Sequence, residues 1–231
     1  NFAAGKIHTT SALVGETAAG DPGSFGTNLV RNIYVPLIFL VIGGMVVHNA
    51  LAWRKKAAVK YRSKRSVVRL TVNQRVQHWL LLTSFIALVV SGFALQYPET
   101  WFGWLLGGSE SLRRTLHRIA AVVMLAAGVY HVVYLAATRE GRLWVKDMLP
   151  KLKDVQDVFA SFAYFLGMNK EKPKFERFGY VEKAEYWAVV WGTAIMGVTG
   201  LMLWFKIEIF GFLARWWIDI ALAVHFYEAI L

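Results

Sequence analysis

Five long apolar blocks constrain this chain more than any other feature of its sequence. A helix needs roughly 20 apolar residues to cross the hydrocarbon core of a bilayer, and several blocks reach that length. A soluble domain would instead alternate apolar and polar residues along its helices and strands. The pattern therefore predicts an all-α membrane protein with five transmembrane helices, over approximately residues 32–53, 76–97, 112–137, 184–205 and 214–231.

The polar segments between the blocks predict the domain organisation. A glycine-rich tail (1–31) precedes an extra transmembrane helix (32–53), a basic loop (54–75) and a core (76–231). The last block is barely long enough to span and lacks a polar flank, so we expect the protein to continue past Leu231. Residues 142–168 mix apolar residues at helical spacing with lysines and aspartates, which predicts an amphipathic surface helix broken or started near Pro150. The alternative for this segment is a solvated connector.

The basic residues predict how the chain is oriented. The formal net charge of the whole chain is +11. The segments 54–75 and 139–183 hold 19 of its 26 lysines and arginines. Positive loops stay in the cytoplasm, so both segments are predicted to be cytoplasmic and the N-terminal tail periplasmic. The charge is thus explained by membrane topology, which makes nucleic-acid binding unnecessary as an explanation.

The chain contains no cysteine. This excludes disulfides, zinc–thiolate sites, cysteine-held iron–sulfur clusters and covalently attached haem within the chain. A redox centre here would need other ligands, and histidine is the first candidate. No metal-hydrolase or phosphate-binding motif is present.

Five of the six histidines lie in or at the edge of the apolar blocks, where ionisable residues are rare and usually functional. His117 and His131 are 14 residues apart, which places them within roughly 40° of one helix face and about 21 Å apart along the axis. Two ligands on one stripe suit two stacked haems in a four-helix bundle. By depth, His117 is predicted to pair with His225 for an outer haem, and His78 with His131 for an inner one.

Alternatives remain open for several of these residues. A histidine about 14 residues beyond His225 would compete for the inner iron, in which case His131 would support a propionate or a quinone. Structural histidines of the helix core are the general alternative. His48 ends the first block and is expected to be an interfacial histidine, or else a quinone or proton site.

Charged residues near the same blocks are candidates for the surroundings of a haem. Arg75, Arg114 and Arg118 lie near the ends of the histidine-bearing blocks and could pair with propionates, or simply anchor the helices. Glu228 lies one turn beyond His225 and is a candidate for proton transfer or quinone binding. Glu185 is a similar candidate, with a helix N-terminal partner as the alternative.

Four stretches resemble a known family. RVQHW…SGFAL, LHRIAA…YHVVYL, EYWAVVWGTAIMGVTGLMLW and AVHFYEAIL are similar to the cytochrome b subunits of formate dehydrogenase and nickel–iron hydrogenase. The resemblance implies a four-helix core with two b haems, His78, His117 and His225 as haem ligands, and a further ligand on the last helix. It also implies residence in the bacterial inner membrane. The extra first helix is more similar to the branch associated with a periplasmic multihaem cytochrome c.

The sequence thus predicts a di-haem b-type cytochrome that carries electrons between the quinone pool and a periplasmic redox partner, with quinol oxidation as the expected direction. The partner would be a c-type cytochrome or an oxidoreductase subunit of a multisubunit complex. The alternative is a transporter or proton channel that uses the intramembrane histidines and Glu228 as a relay. Inverted repeats and interrupted helices are typical of transporters, and neither is evident in the sequence.

Overall fold

A computed structural model describes residues 22–57, 70–107 and 109–231. These residues form helices joined by turns, and the predicted all-α membrane class is confirmed. In chain order the helices are α1 (Pro22–Ala57), α2 (Val72–Gln96), α3 (Trp101–Leu105), α4 (Glu110–Ala137), α5 (Arg139–Met148), α6 (Leu152–Phe165), α7 (Tyr180–Trp204) and α8 (Arg215–Glu228).

Four helices among the described residues are long and apolar enough to cross a membrane, namely α1 over Ser24–Lys55 and the whole of α2, α4 and α7. The fifth predicted block forms α8, which has only 14 residues, so a fifth span stays a prediction. Helix α1 begins at Pro22, so the last ten residues of the predicted tail are helical, while residues 1–21 lie outside the described part. Proline is favoured in the first turn of a helix because its missing N–H has no intrahelical partner there.

Small and polar residues form the contact between α2 and α4. Gln77, Ser84 and Ser91 recur every seven residues on α2, and Arg113, Ala120, Ala127 and Tyr134 do so on α4; all seven are buried. Large apolar side chains such as Phe39 and Trp79 face outwards instead. Small residues let two helices approach closely in lipid, where apolar side chains gain nothing by leaving the surface.

The bundle is built from one helix pair and one group of three helices. Helix α2 packs on α4, and α8 packs between α7 and α1. At one end, Gln77 near the start of α2 meets His131 near the end of α4, and His131 meets Tyr186 near the start of α7. We call this the basic end, because the two lysine- and arginine-rich segments adjoin it. The basic loop itself lies largely outside the described residues, over 58–69.

Two short helices cover the basic end. The break predicted near Pro150 is present, since α5 ends at Met148 and α6 begins at Leu152. The residue before a proline is driven to extended backbone, and Leu149 has ψ 132°. Trp144 and Met148 of α5 are buried against Phe178. Helix α6 is held to α7 by the Lys183 ammonium, which donates to both carboxylate oxygens of Asp154 at 2.9 and 2.8 Å.

Candidate functional site

His117 of α4 and His225 of α8 face each other inside the bundle. Their ring centroids are 6.4 Å apart and the ring planes are inclined at 72°. His117 belongs to the α2–α4 pair and His225 to the group of α1, α7 and α8, so their approach joins the two parts of the bundle. The outer pair predicted from depth is therefore found close together, and the ligand role of each residue stays a prediction.

A hydroxyl group holds each of these two rings. Ser91 Oγ lies 2.9 Å from His117 Nδ1, and Thr199 Oγ1 lies 2.9 Å from His225 Nδ1. Both hydroxyls are buried on the helix that neighbours the histidine. Among the described residues neither Nε2 atom makes a hydrogen bond, so each ring is fixed through one nitrogen and keeps the other available.

The spacing of the two rings is that expected of two imidazoles that would hold one metal ion between them. An imidazole nitrogen lies about 2.0–2.1 Å from a bound transition metal, which places two rings on opposite sides of one ion with centres roughly 6 Å apart. Clusters of three or more potential metal-ligating side chains are absent from the described part of the chain. Haem iron needs only axial ligands from the protein, because the macrocycle supplies the rest.

Glycines provide access to both rings. A Cβ atom added at Gly92 would lie 3.5 Å from His117 Cε1, and one added at Gly200 would lie 3.3 Å from His225 Cε1. A side chain at Gly200 would therefore press on the His225 ring, whereas a Cβ atom at Gly92 would make an ordinary van der Waals contact with the His117 ring. Gly92 and Gly200 thus each lie directly beside one of the two histidine rings.

His131 has a different environment. Its Nδ1 lies 2.7 Å from Gln77 Oε1, and its Nε2 lies 3.0 Å from the Tyr186 hydroxyl. Gln77 donates its amide N–H to Asn73 Oδ1, so its carbonyl oxygen accepts from His131. His131 Nδ1 then carries the proton and Nε2 accepts from Tyr186. Both ring nitrogens are engaged.

His78 is not brought together with His131. It lies next to Gln77 on α2 but is exposed on the helix surface. The pairing of these two residues for an inner haem therefore stays a prediction without a contact that supports it.

The candidate arginines lie at the surface. Arg75 is exposed near the start of α2. Arg118 stacks its guanidinium 5.0 Å from the centroid of the Trp204 ring, which joins α4 to the end of α7. Arg114 forms an ion pair with Glu110 at 2.5 Å. Arg114 and Arg118 line one shallow groove at the start of α4, at the end of the bundle where His117 lies.

Glu228 and His48 each meet a tyrosine. The Tyr34 hydroxyl of α1 donates to Glu228 Oε2 at 2.8 Å, and His48 Nε2 lies 2.6 Å from the Tyr180 hydroxyl. The His48 ring also contacts Phe162 in an edge arrangement, with centroids 5.7 Å apart. Glu185 lies exposed on α7.

Sequence reasoning missed the partners of these groups. The sequence did not predict roles for Ser91, Thr199 and Tyr34, because single hydroxyl residues are common in transmembrane helices. A signal did exist: a hydroxyl–glycine pair, Ser91–Gly92 or Thr199–Gly200, precedes each of the two histidines by 26 residues.

Comparison with known proteins agrees with the predicted resemblance. The profile of the family described as prokaryotic cytochrome b561 matches residues 69–231, which is more than half of the chain. The cytochrome b556(fdo) subunits of formate dehydrogenase from Escherichia coli K12, from strain O6:H1 and from O157:H7 are each 27% identical over 142 residues. Each match covers 60% of this chain and 61% of the relative, so the chain spans about three fifths of the length of these relatives.

Proposed function

Because the chain belongs to the prokaryotic cytochrome b561 family and is a membrane-bound b-type cytochrome of electron transport, we propose that it carries electrons between a quinone pool and a periplasmic redox partner through two b haems. The observation that carries the proposal is the facing pair His117 and His225, 6.4 Å between ring centroids, each with Nε2 free of hydrogen bonds to the described residues. Oxidation of quinol is the proposed direction.

The proposal assigns His117 and His225 as the residues that would hold one haem. A bound haem supplies the one-electron chemistry, and the protein supplies ligation, orientation and charge around it. Arg118 and Arg114 lie at the same end of α4 as His117 and are proposed to pair with the propionates there. Arg75 is proposed for the same role at the basic end.

The second haem is proposed at the basic end, with His78 as one ligand. His131 was the predicted partner. Because both ring nitrogens of His131 are engaged by Gln77 and Tyr186, we do not propose it as the second ligand. His131 is then proposed to serve a quinone head group or a propionate through its hydrogen bonds.

Proton and quinone chemistry is proposed for the groups that meet a tyrosine. His48, His131 and Glu228 are each bonded to a phenol, from Tyr180, Tyr186 and Tyr34 respectively. Oxidation of a quinol releases two protons with its two electrons, so acceptors are needed within reach of the head group. Glu185 stays in this set as a surface acceptor. Glu228 lies one helical turn from His225, so this acceptor is on the same helix as a proposed haem ligand.

The partner is proposed on the periplasmic side, as a c-type cytochrome or an oxidoreductase subunit in a complex. The relatives that match are named as subunits of formate dehydrogenase, which supports membership of a multisubunit oxidoreductase. The distribution of basic residues supports an inner bacterial membrane location with the N-terminus outside.

The orientation has a direct test, because the chain lacks cysteine. Single variants Glu99→Cys and Asn169→Cys place thiols at exposed positions in connections predicted to lie on opposite sides. An impermeant maleimide added to intact spheroplasts should label Glu99→Cys alone. Labelling of Asn169→Cys alone would reverse the assignment.

The electron-carrier proposal is tested by a reduced-minus-oxidised optical spectrum and a pyridine haemochrome count on the complex. Two b haems per chain are expected, and His117→Ala should remove one of them without loss of helical content. His8→Ala, in the tail that precedes the bundle, is the control and should retain both. Absence of haem from a complex purified with its partners would refute the proposal and favour a proton pathway.

A further inference from the structure

The hydroxyl groups beside His117 and His225 donate their protons to backbone carbonyl oxygens of their own helices. Ser91 Oγ donates to the Ala87 carbonyl oxygen at 2.6 Å, and Thr199 Oγ1 donates to the Ile195 carbonyl oxygen at 2.7 Å. Such a bond to the carbonyl one turn earlier is the usual choice of a serine or threonine inside a helix. Since a hydroxyl has a single proton, each oxygen can meet its histidine only as an acceptor.

The proton count fixes the tautomer of both histidines. With the hydroxyl oxygen as acceptor, Nδ1 carries the imidazole proton and Nε2 keeps its lone pair. Nε2 is therefore the ring atom that can bind a metal. Exposure of the two hydroxyl residues is only 2% for Ser91 and 8% for Thr199, so water does not compete freely for these bonds.

The two arrangements repeat along the chain. Helices α2 (Val72–Gln96) and α7 (Tyr180–Trp204) are both 25 residues long. The first and last residues of α7 each lie 108 positions after those of α2 in the sequence. The same displacement carries Ser91 onto Thr199, Gly92 onto Gly200 and His117 onto His225. The matched contacts of these six residues indicate that the α7–α8 pair repeats the arrangement of the α2–α4 pair.

We infer that Ser91 and Thr199 are the positioning residues of the proposed haem ligands. Ser91 positions His117 in the α2–α4 pair, and Thr199 positions His225 in the α7–α8 pair. The inference rests on the proposed function, because it needs a haem between His117 and His225. Each hydroxyl orients its ring, fixes the Nδ1–H tautomer and raises the basicity of Nε2. Groups in this position typically change metal affinity or activity by 10- to 100-fold when removed.

The expected effect on the haem has a definite sign. A ligand whose Nδ1–H is hydrogen-bonded donates more electron density and favours ferric over ferrous iron. Loss of one hydroxyl should therefore raise the midpoint potential of this haem, by about 59 mV for each tenfold change in relative ferric affinity. It should also change the low-spin ferric EPR signal, because the ring loses the contact that fixes its plane.

The test uses the complex with Ser91→Ala and with Thr199→Val, against the hydroxyl-retaining variants Ser91→Thr and Thr199→Ser. Ser84→Ala is the matched control, because Ser84 is equally buried on α2 and bonds only to its own helix, at 2.7 Å to the Leu80 carbonyl. Haem content, redox titration and EPR are recorded for each.

The inference predicts that Ser91→Ala and Thr199→Val each raise the midpoint potential and alter the EPR signal of the same haem. The hydroxyl-retaining variants Ser91→Thr and Thr199→Ser should keep the wild-type potential and EPR signal, and Ser84→Ala should change neither quantity. Potentials and spectra unchanged from wild type in the two hydroxyl-deleting variants would overturn it. If one of those variants yields no folded protein, the other decides. Wild-type protein without haem would refute the proposed function instead, and the two failures are therefore distinct.

Discussion

Replacing Asp154 by asparagine should loosen α6 from the bundle, because it strips a buried ammonium of its partner. Lys183 is only 3% exposed, and its Nζ donates to both Asp154 carboxylate oxygens at 2.8 and 2.9 Å. Breaking a buried ion pair by removing one partner costs about 3–5 kcal/mol. The Asp154 side chain is 16% exposed, so water reaches it in part. We therefore expect a loss of roughly 3 kcal/mol, the lower limit of that range.

Glu110→Gln is the control for Asp154→Asn. It breaks the Arg114–Glu110 pair, whose side chains are 49% and 55% exposed, and exposed pairs contribute about 0–1 kcal/mol. Both changes remove one carboxylate charge, so they differ mainly in the burial of the cation left behind. Free energies of unfolding are measured in mixed micelles by denaturant titration, followed by circular dichroism.

The double variant Asp154→Leu with Lys183→Met completes the test of burial. It removes both charges, so it should recover most of the stability lost in Asp154→Asn. Equal losses in Asp154→Asn and Glu110→Gln, or a double variant less stable than Asp154→Asn, would refute the assignment of the cost to a buried unpaired ammonium.

Three further predictions concern pH and the polar groups of the bundle. Burial favours a higher pKa for the Asp154 carboxyl, but hydrogen bonds from Lys183 and from the Lys151 backbone outweigh it and hold the pKa below its ordinary value. The stabilisation is therefore present above the unfolded pKa of about 3.9 and lost as pH falls through the folded pKa, so acid unfolding curves of wild type and Asp154→Asn should converge there. His131→Gln should retain both haems in a pyridine haemochrome assay, whereas loss of one haem would make His131 a ligand. Glu228→Gln should slow quinol oxidation by roughly 10²-fold without changing the haem spectrum, and an unchanged rate would remove Glu228 from the proton route. Tyr34→Phe keeps the Glu228 carboxyl and should therefore slow quinol oxidation less than Glu228→Gln does.

The sequence predicted the features that depend on hydrophobicity and helical period. Four of the five apolar blocks form the long helices α1, α2, α4 and α7, because a membrane span requires mainly length and hydrophobicity. His117 and His225 were placed at one depth by counting residues along helices whose directions were predicted from the basic loops. The break near Pro150 followed from the backbone restriction that proline imposes.

Contacts between helices were beyond that reasoning. Depth put His78 and His131 at one level, but depth does not fix rotation about the helix axis, and His78 lies on the exposed face while Gln77 meets His131. The start of α1 at Pro22 was missed because the glycine-rich composition of residues 22–31 suggested a tail, whereas Ser24 and Thr27 are buried in the structure. Tertiary contact here outweighs local propensity.

The type of hydroxyl that meets an intramembrane histidine determines what that histidine can do. A serine or threonine on a helix gives its proton to its own backbone, as Ser91 and Thr199 do, so it can only accept from the ring and leaves Nε2 free. A tyrosine hydroxyl stands far from its own backbone and keeps a proton to donate, so Tyr186 fills the Nε2 lone pair of His131. An iron would have to displace that bond at His131, but displaces none to the described residues at His117 or His225. The proton inventory of the neighbours therefore distinguishes His117 and His225, the two proposed ligands, from His131, which residue type and depth alone do not do.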